Sequence, residues 1–219
     1  MNQANQIDLF LNDINGKVTF NSLEERFMSL TNRLMNYLYL SIGKNSYRIT
    51  ECEIYYQDID HADTYVHCGQ EQLTAGKLFL NDAGGLDITF GNADIPIFAG
   101  ILIRGIRNLE TNEYINQIQK IVSEVFNALG SIITGENGIY LREILPGQME
   151  IEQVVQTVRV GLTKKEEDVE GYLEKPYRYI VELNPSHKFK GKEKVVKQLL
   201  SEGRISKEDA KNILGYNVK

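Results

Sequence analysis

The sequence predicts an α+β fold, because segments with helical and strand periodicity follow one another in irregular order instead of regular strand–helix alternation. Helical spacing of apolar residues occurs in 22–40 and 111–129, and strand-like alternation occurs in 48–56. After residue 190 the chain becomes a charged helical hairpin. We therefore divide the chain into an α+β domain over 1–190 and a C-terminal helical hairpin over 191–219.

The bulk composition fits one large globular domain. The chain has 219 residues, of which 42% are hydrophobic and 25% charged. No apolar run reaches the roughly 18 residues that a membrane span needs, and the first residues lack the basic and apolar pattern of a signal peptide. We therefore expect a cytoplasmic protein with no membrane partner. The formal charge of −6 opposes binding of duplex DNA.

The N-terminal third predicts one helix and one strand. Residues 1–20 hold a short helix or strand, and the Ser22–Glu25 pair is a capping box that starts a helix over 22–40. The stretch 48–56 is typical of a strand that carries Glu51, Glu53 and Tyr55 on one face.

The middle of the chain predicts a hairpin, a central strand and a second helix. Two short strands in 76–91 flank the turn 83–85, and 95–106 is apolar enough for a central strand. Thr111 caps a helix that ends at Leu129, with an inner stripe formed by Ile115, Ile118, Val122, Val125 and Phe126.

The last part predicts two strands and two helices. Residues 130–150 are rich in turns, 154–162 and 176–183 are strands, and 163–175 is a charged loop. In the tail, Gly203 marks the turn between two helices, and Ser206 with Asp209 caps the second.

The two carboxylates at i and i+2 on the first strand are the best candidates for chemistry. Like charges held close raise the pKa of one of them, which suits acid–base work; alternatively, both face water or pair with basic residues. Tyr55 beside them offers a flat face for a planar ligand.

Other common sites lack support in the sequence. It contains no phosphate-binding loop, dinucleotide fingerprint or serine-hydrolase motif. His61, His67 and Cys68 are close in sequence but lack the spacing of a zinc site, so we expect no metal and no organic cofactor.

Four blocks in order give the chain a resemblance to the alkyladenine (3-methyladenine) DNA glycosylase family. RITECEIYY, at 48–56, is similar to the family's R-I-V-E-T-E-A-Y strand, and GKLFLN with FGN, within 76–92, is similar to its hairpin. GILIRGI, at 100–106, resembles its V-L-L-R-A-L strand, and VRVGL with KPYRYIVELNPSHK resembles its closing strands. The resemblance runs from about residue 22 to 190 and implies a mixed, mostly antiparallel curved sheet flanked by helices.

The resemblance implies excision of an alkylated or deaminated purine from damaged DNA. Glu53 would act as the general base that activates water, and Tyr55 would stack on the base. The pocket histidine would be His67 or, alternatively, His61, and Asn92 and Arg104 would support the pocket.

Two positions depart from the family pattern. The tyrosine that the family inserts into the duplex falls on Gly84, and a second pocket tyrosine falls on Asn81. A glycine has no side chain to fill the gap left by a flipped base. Three functions therefore stay open: a glycosylase, a binding protein for a nucleobase or another small planar ligand, and a scaffold whose tail binds a protein partner.

Overall fold

The computed structural model describes residues 5–131, 133 and 137–217. The ends of the predicted segments 1–20 and 191–219, and part of the turn-rich region 130–150, lie outside these residues. The helices are α1 (Gln6–Ile14), α2 (Leu23–Asn36), α3 (Ile118–Leu129), α4 (Lys192–Ser201) and α5 (Lys207–Leu214). The strands are β1 (Leu38–Ile42), β2 (Asn45–Gln57), β3 (Leu78–Leu80), β4 (Leu86–Thr89), β5 (Phe98–Asn108), β6 (Tyr114–Asn116), β7 (Ile139–Glu143), β8 (Val155–Thr157) and β9 (Arg178–Ile180).

The strands form one curled antiparallel sheet with the shape of a half-barrel. The main order is β3-β4-β5-β2-β1-β7, while β6 pairs with β5, and β9 pairs with both β2 and β8. The predicted α+β class is confirmed. The expectation of a mixed sheet is wrong for the described strands, whose pairings are all antiparallel, because short turns and hairpins connect many of them.

A bulge in the central strand β2 decides which side chains leave the main core. The pairing of β2 with β5 is irregular around Glu51. Before this point Tyr47 and Ile49 join the core, and after it Cys52, Ile54 and Tyr56 do so. An extra residue in one strand changes the phase of the alternation, so Glu51 and later odd-numbered residues of β2 project from the opposite face.

The helix predicted over 22–40 is shorter than expected. The Ser22 side chain accepts a hydrogen bond from the Glu25 N–H, as the capping box requires, but the helix ends at Asn36. Residues 38–42 form strand β1 instead, with Leu38, Leu40 and Ile42 buried. The sequence LYLSI alternates in burial, and pairing with two neighbouring strands satisfies its backbone groups.

The start predicted for the second helix is also wrong. Residues 114–116 form β6, which pairs with β5, and the helix α3 begins only at Ile118. The Thr111 hydroxyl accepts the Glu113 N–H within a turn and caps no helix. Val125 is buried as predicted, but Phe126 is 65% exposed and Ile121 takes its place in the core.

The C-terminal segments pack on the edge of the sheet. Strands β8 and β9 are shorter than the predicted 154–162 and 176–183. The tail forms α4 and α5, and Ser206 and Asp209 make the expected capping box. Leu199 of α4 packs with Val155, Ile180 and Phe189. The division into a body and a separate tail domain stays a prediction.

Candidate functional site

A cleft of about 950 Å³ opens on the face of the sheet that carries Glu51 and Glu53. Its wall includes Tyr55 of β2, Asp87 of β4, and Leu102 and Arg104 of β5. The start of α3 and two loops, 160–165 and 188–190, complete it. A volume of this size lies within the usual range for small-molecule sites.

Positive charge surrounds the mouth of this cleft. Four exposed lysines from two loops line it, namely Lys164, Lys165, Lys188 and Lys190. Such a group attracts anions even on a chain whose formal charge is −6. The sequence indicated a charged loop at 163–175, but gave no sign that it meets the lysines at 188 and 190.

Glu53 lies beneath the wall of the cleft and is fully buried. Its Oε2 accepts hydrogen bonds from the Tyr55 hydroxyl, at 3.0 Å, and from Arg104 Nη1, at 3.3 Å. Its Oε1 accepts the Val160 N–H at 2.8 Å. Tyr55 and Arg104 both line the cleft, so these two side chains stand between the carboxylate and the open space of the cleft.

The protonation of Glu53 is set by opposing effects. Burial raises the pKa of this carboxyl above its ordinary value, while Arg104 and the Val160 N–H oppose the rise. Donors on both oxygens favour the ionised form, which is the form a general base needs. The sequence predicted that the like charges of Glu51 and Glu53 raise the pKa of one of them, but Glu51 is only a minor cause of the raised pKa of Glu53.

Glu51 is held by two arginines. Its Oε1 accepts hydrogen bonds from Arg104 Nε, at 3.1 Å, and from Arg178 Nε, at 2.8 Å. Arg104 thus bridges the two carboxylates of β2. The pairing with basic residues, which the sequence left open as an alternative, is what the structure contains.

The Tyr55 ring packs against the buried cation of Arg159. The guanidinium carbon of Arg159 lies 4.6 Å from the Tyr55 ring centroid. Arg159 is itself locked to Asp63 by two hydrogen bonds of 2.7 and 3.1 Å, and both side chains are fully buried. This contact holds one face of a ring that also lines the cleft. Neither Arg159 nor Asp63 was predicted as part of the site.

Of the two candidate histidines, only His67 lines the cleft. His61 instead packs against Tyr172, with ring centroids 4.7 Å apart, and near Phe27 in the main core. His67 therefore shares the cleft with Tyr55 and Arg104, and its role in binding stays a prediction.

Asn92 is not among the residues that line the cleft, and its role as pocket support stays a prediction. Its side-chain oxygen accepts the Asp94 N–H and caps a turn between β4 and β5. Asn81 takes part in the wall instead. Its oxygen accepts the N–H groups of Ala83 and Gly85, and its amide donates to Asp87 Oδ1 at 3.1 Å.

Sequence reasoning missed Asp87. This side chain is 2% exposed and lines the cleft, and burial raises its pKa to about 7, with a further contribution from Glu53. The sequence offered one signal, an acidic residue in an apolar strand, LDIT, where an isolated charge is costly.

Two further features concern other classes of site. Within residues 5–131, 133 and 137–217, no group of three or more His, Cys, Asp or Glu side chains is placed to hold a metal ion. Over the same residues, none of the helices combines the length and apolar character that crossing a bilayer requires.

Comparison with known proteins gives little information about function. No protein-family model matches the chain. A protein of Acanthamoeba polyphaga mimivirus, named only as an uncharacterized protein, is 27% identical over 192 residues, which cover 72% of this chain and 87% of that protein. Any account of function therefore depends on the residues of the cleft.

Proposed function

We propose that the chain hydrolyses the N-glycosidic bond of an alkylated or deaminated purine in DNA, with Glu53 as the general base. The observation that carries the proposal is the placement of Glu53 under Tyr55 and Arg104 at the wall of a lysine-rimmed cleft. The resemblance of four sequence blocks to the alkyladenine DNA glycosylase family supports the same activity.

Each part of the cleft has a task in this reaction. Tyr55, held on one face by Arg159, stacks on the purine ring. The lysines of the rim contact the flanking phosphates. A water replaces the hydrogen bond that Tyr55 or Arg104 donates to Glu53. This water loses a proton to the carboxylate and attacks the sugar carbon.

The hairpin tip limits the nucleic acid that can be used. Gly84 and Ala83 stand at the tip, and Ala83 lines the cleft. Because neither residue can fill the gap left in a base stack, extruding a base from a duplex costs a few kcal/mol that no inserted side chain offsets. We therefore expect unpaired or single-stranded lesions to be preferred over lesions in a perfect duplex.

The second candidate is a protein that binds a nucleobase without cleaving it. One observation favours it: both oxygens of Glu53 already accept hydrogen bonds from the protein. If those bonds persist when the ligand is bound, no water reaches the carboxylate and the cleft serves recognition alone.

The test is cleavage of single-stranded and duplex oligonucleotides that contain hypoxanthine or 1,N6-ethenoadenine. The wild-type chain should produce alkali-labile abasic sites, and Glu53→Gln should lower the rate at least ~100-fold. Glu113→Gln, on an exposed turn before β6, is the matched control and should cleave normally.

The results separate the two candidates. Absence of abasic product, together with stabilisation of the wild-type chain by free bases in a thermal-shift assay, would leave the binding function alone. If Tyr55→Ala then retained the same stabilisation, the cleft would not be the binding site. Absence of both cleavage and binding would overturn both candidates.

A further inference from the structure

Asp87 lies on the same face of the sheet as Glu53, in the same cross-strand row and one strand further along. In the register of the sheet, Glu53 of β2 is opposite Leu102 of β5, and Leu102 is opposite Asp87 of β4. Residues directly opposite in antiparallel strands project from the same face. Two strand spacings put the backbones of the two acidic residues about 10 Å apart, with Leu102 between them in the row. A separation of this order is compatible with a pair of carboxyl groups that act on opposite sides of one glycosidic bond.

The surroundings of Asp87 fix one carboxyl oxygen and leave the other available. Asn81 has its oxygen committed to two backbone N–H groups, so its amide faces Asp87 Oδ1. Among the described residues, no protein group donates to or accepts from Asp87 Oδ2. This oxygen lies over Gly100, 3.3 Å from the position that a Cβ would take there.

The charges that face Asp87 come from each neighbouring element. The ionisable groups are Glu51 and Glu53 on β2, Arg104 on β5, and the lysines that line the same cleft. Leu102 and Gly100 of β5 and Asn81 after β3 carry no charge. Burial is the largest effect on both carboxyls and raises the pKa of each, that of Asp87 to about 7. They differ in their donors: Glu53 accepts from a guanidinium and a backbone N–H, whereas Asp87 accepts from the neutral amide of Asn81. Two carboxyls in such different environments are suited to opposite roles.

We propose that Asp87 is the general acid of the reaction, partner to Glu53 as base. This inference rests on the proposed function. The bond from the sugar carbon to the purine nitrogen breaks with its electron pair moving to the base, and a bond from the water oxygen to that carbon forms. The water proton passes to Glu53, and the Asp87 proton passes to a ring nitrogen of the leaving base. Exchange with solvent then restores both carboxyls.

A general acid at Asp87 would be needed for some damaged bases and not for others. A deaminated purine such as hypoxanthine is neutral, so it leaves as a neutral base only if it gains a proton. A purine alkylated at a ring nitrogen, such as N7-methylguanine, already carries a positive charge and leaves without one. Asp87 should therefore matter for the first class and hardly for the second.

The test compares single-turnover release of hypoxanthine and of N7-methylguanine from single-stranded DNA, the latter corrected for its spontaneous loss. Asp87→Asn should lower hypoxanthine release ~100-fold or more and N7-methylguanine release less than about threefold. Asp82→Asn, at an exposed position of the same hairpin turn, should change neither. Melting temperatures of all proteins establish that each is folded.

A second measurement needs no variant. In the wild-type chain, hypoxanthine release should fall as the pH rises above about 7, while N7-methylguanine release should not. Equal loss of both activities in a folded Asp87→Asn variant, or identical pH profiles for the two bases, would overturn the role of Asp87 alone. Failure of the wild-type chain to release either base would overturn the hydrolase itself.

Discussion

The buried pair of Arg159 and Asp63 should control both stability and the placement of Tyr55. Asp63→Asn removes the negative charge and leaves the Arg159 cation fully buried. Leaving one member of a buried pair unpaired costs about 3–5 kcal/mol. For a chain of this size the melting temperature falls about 2–4 °C per kcal/mol, which gives a decrease of roughly 6–20 °C.

Thermal melting followed by circular dichroism measures this decrease. Glu193→Gln is the matched control, because both side chains of the Glu193–Lys197 ion pair are nearly half exposed. The melting temperature of this variant should equal that of the wild-type chain. Adding Arg159→Met to Asp63→Asn should recover part of the lost stability, since this position then holds no unpaired buried charge. If Asp63→Asn melted like the wild-type chain, the argument that this pair anchors the wall would be refuted.

Three further predictions concern Asp87, Gly100 and α4. Burial raises the folded-state pKa of Asp87 from 3.8 to about 7, so the folded chain binds more protons than the unfolded chain between these values, and this residue makes stability fall as the pH rises. Asp87→Asn should therefore be more stable than the wild-type chain by roughly 2–4 kcal/mol above pH 7, and by progressively less towards pH 4, in urea unfolding; a gap that does not vary with pH would contradict this. The half-buried His61 and the buried His187, whose pKa values are lowered by burial, act in the opposite sense but equally in both proteins. Gly100→Ala places a Cβ 3.3 Å from Asp87 Oδ2 and should cost about 1–3 kcal/mol in urea unfolding while shifting Asp87; an unchanged midpoint would show that Asp87 can move freely. Leu199→Ala on α4 should cost about 2–4 kcal/mol, because Leu199 is buried against Val155 and Ile180, whereas Lys197→Ala on the exposed side should cost little; equal effects would argue against packing of α4 on the sheet.

Local patterns were sufficient for the elements that carry the site. The strand with Glu51, Glu53 and Tyr55 was predicted from alternation, and β2 contains all three. The hairpin of β3 and β4 followed from the AGG turn. These segments could be predicted because a turn or a strand alternation depends on residues that are neighbours along the chain.

The sequence-based predictions of helix bounds are wrong where distant strands decide the conformation. Leu38 continues the helical spacing of α2, but pairing of β1 with β2 and β7 draws residues 38–42 into the sheet. Likewise 114–116 adds a strand to β5 before α3 begins. Asn92 appeared near the pocket from its order in the chain, but its side chain caps a local turn.

The cleft itself could not be predicted because its parts are far apart in sequence. The lysines come from loops near residues 164 and 188, and the support of Tyr55 comes from Arg159 and Asp63. No periodicity relates such positions. Asp87 was visible as an acidic residue in an apolar strand, and the rule that isolated buried charges are rare could have marked it.

The arrangement also gives Glu51 a definite task. Two carboxylates on one strand face could have shifted the pKa of each other directly, but in this site Arg104 stands between them and hydrogen bonds to both. Glu51 additionally holds Arg178. Glu51 therefore acts as a positioning residue: it orients the guanidinium that helps to keep Glu53 ionised. Because Arg104 contacts Glu53 at 3.3 Å and Glu51 at 3.1 Å, the weaker bond is the one on the side of the proposed base. That is where an entering water can replace a protein donor at the least cost, while the bond to Glu51 keeps the arginine in the wall.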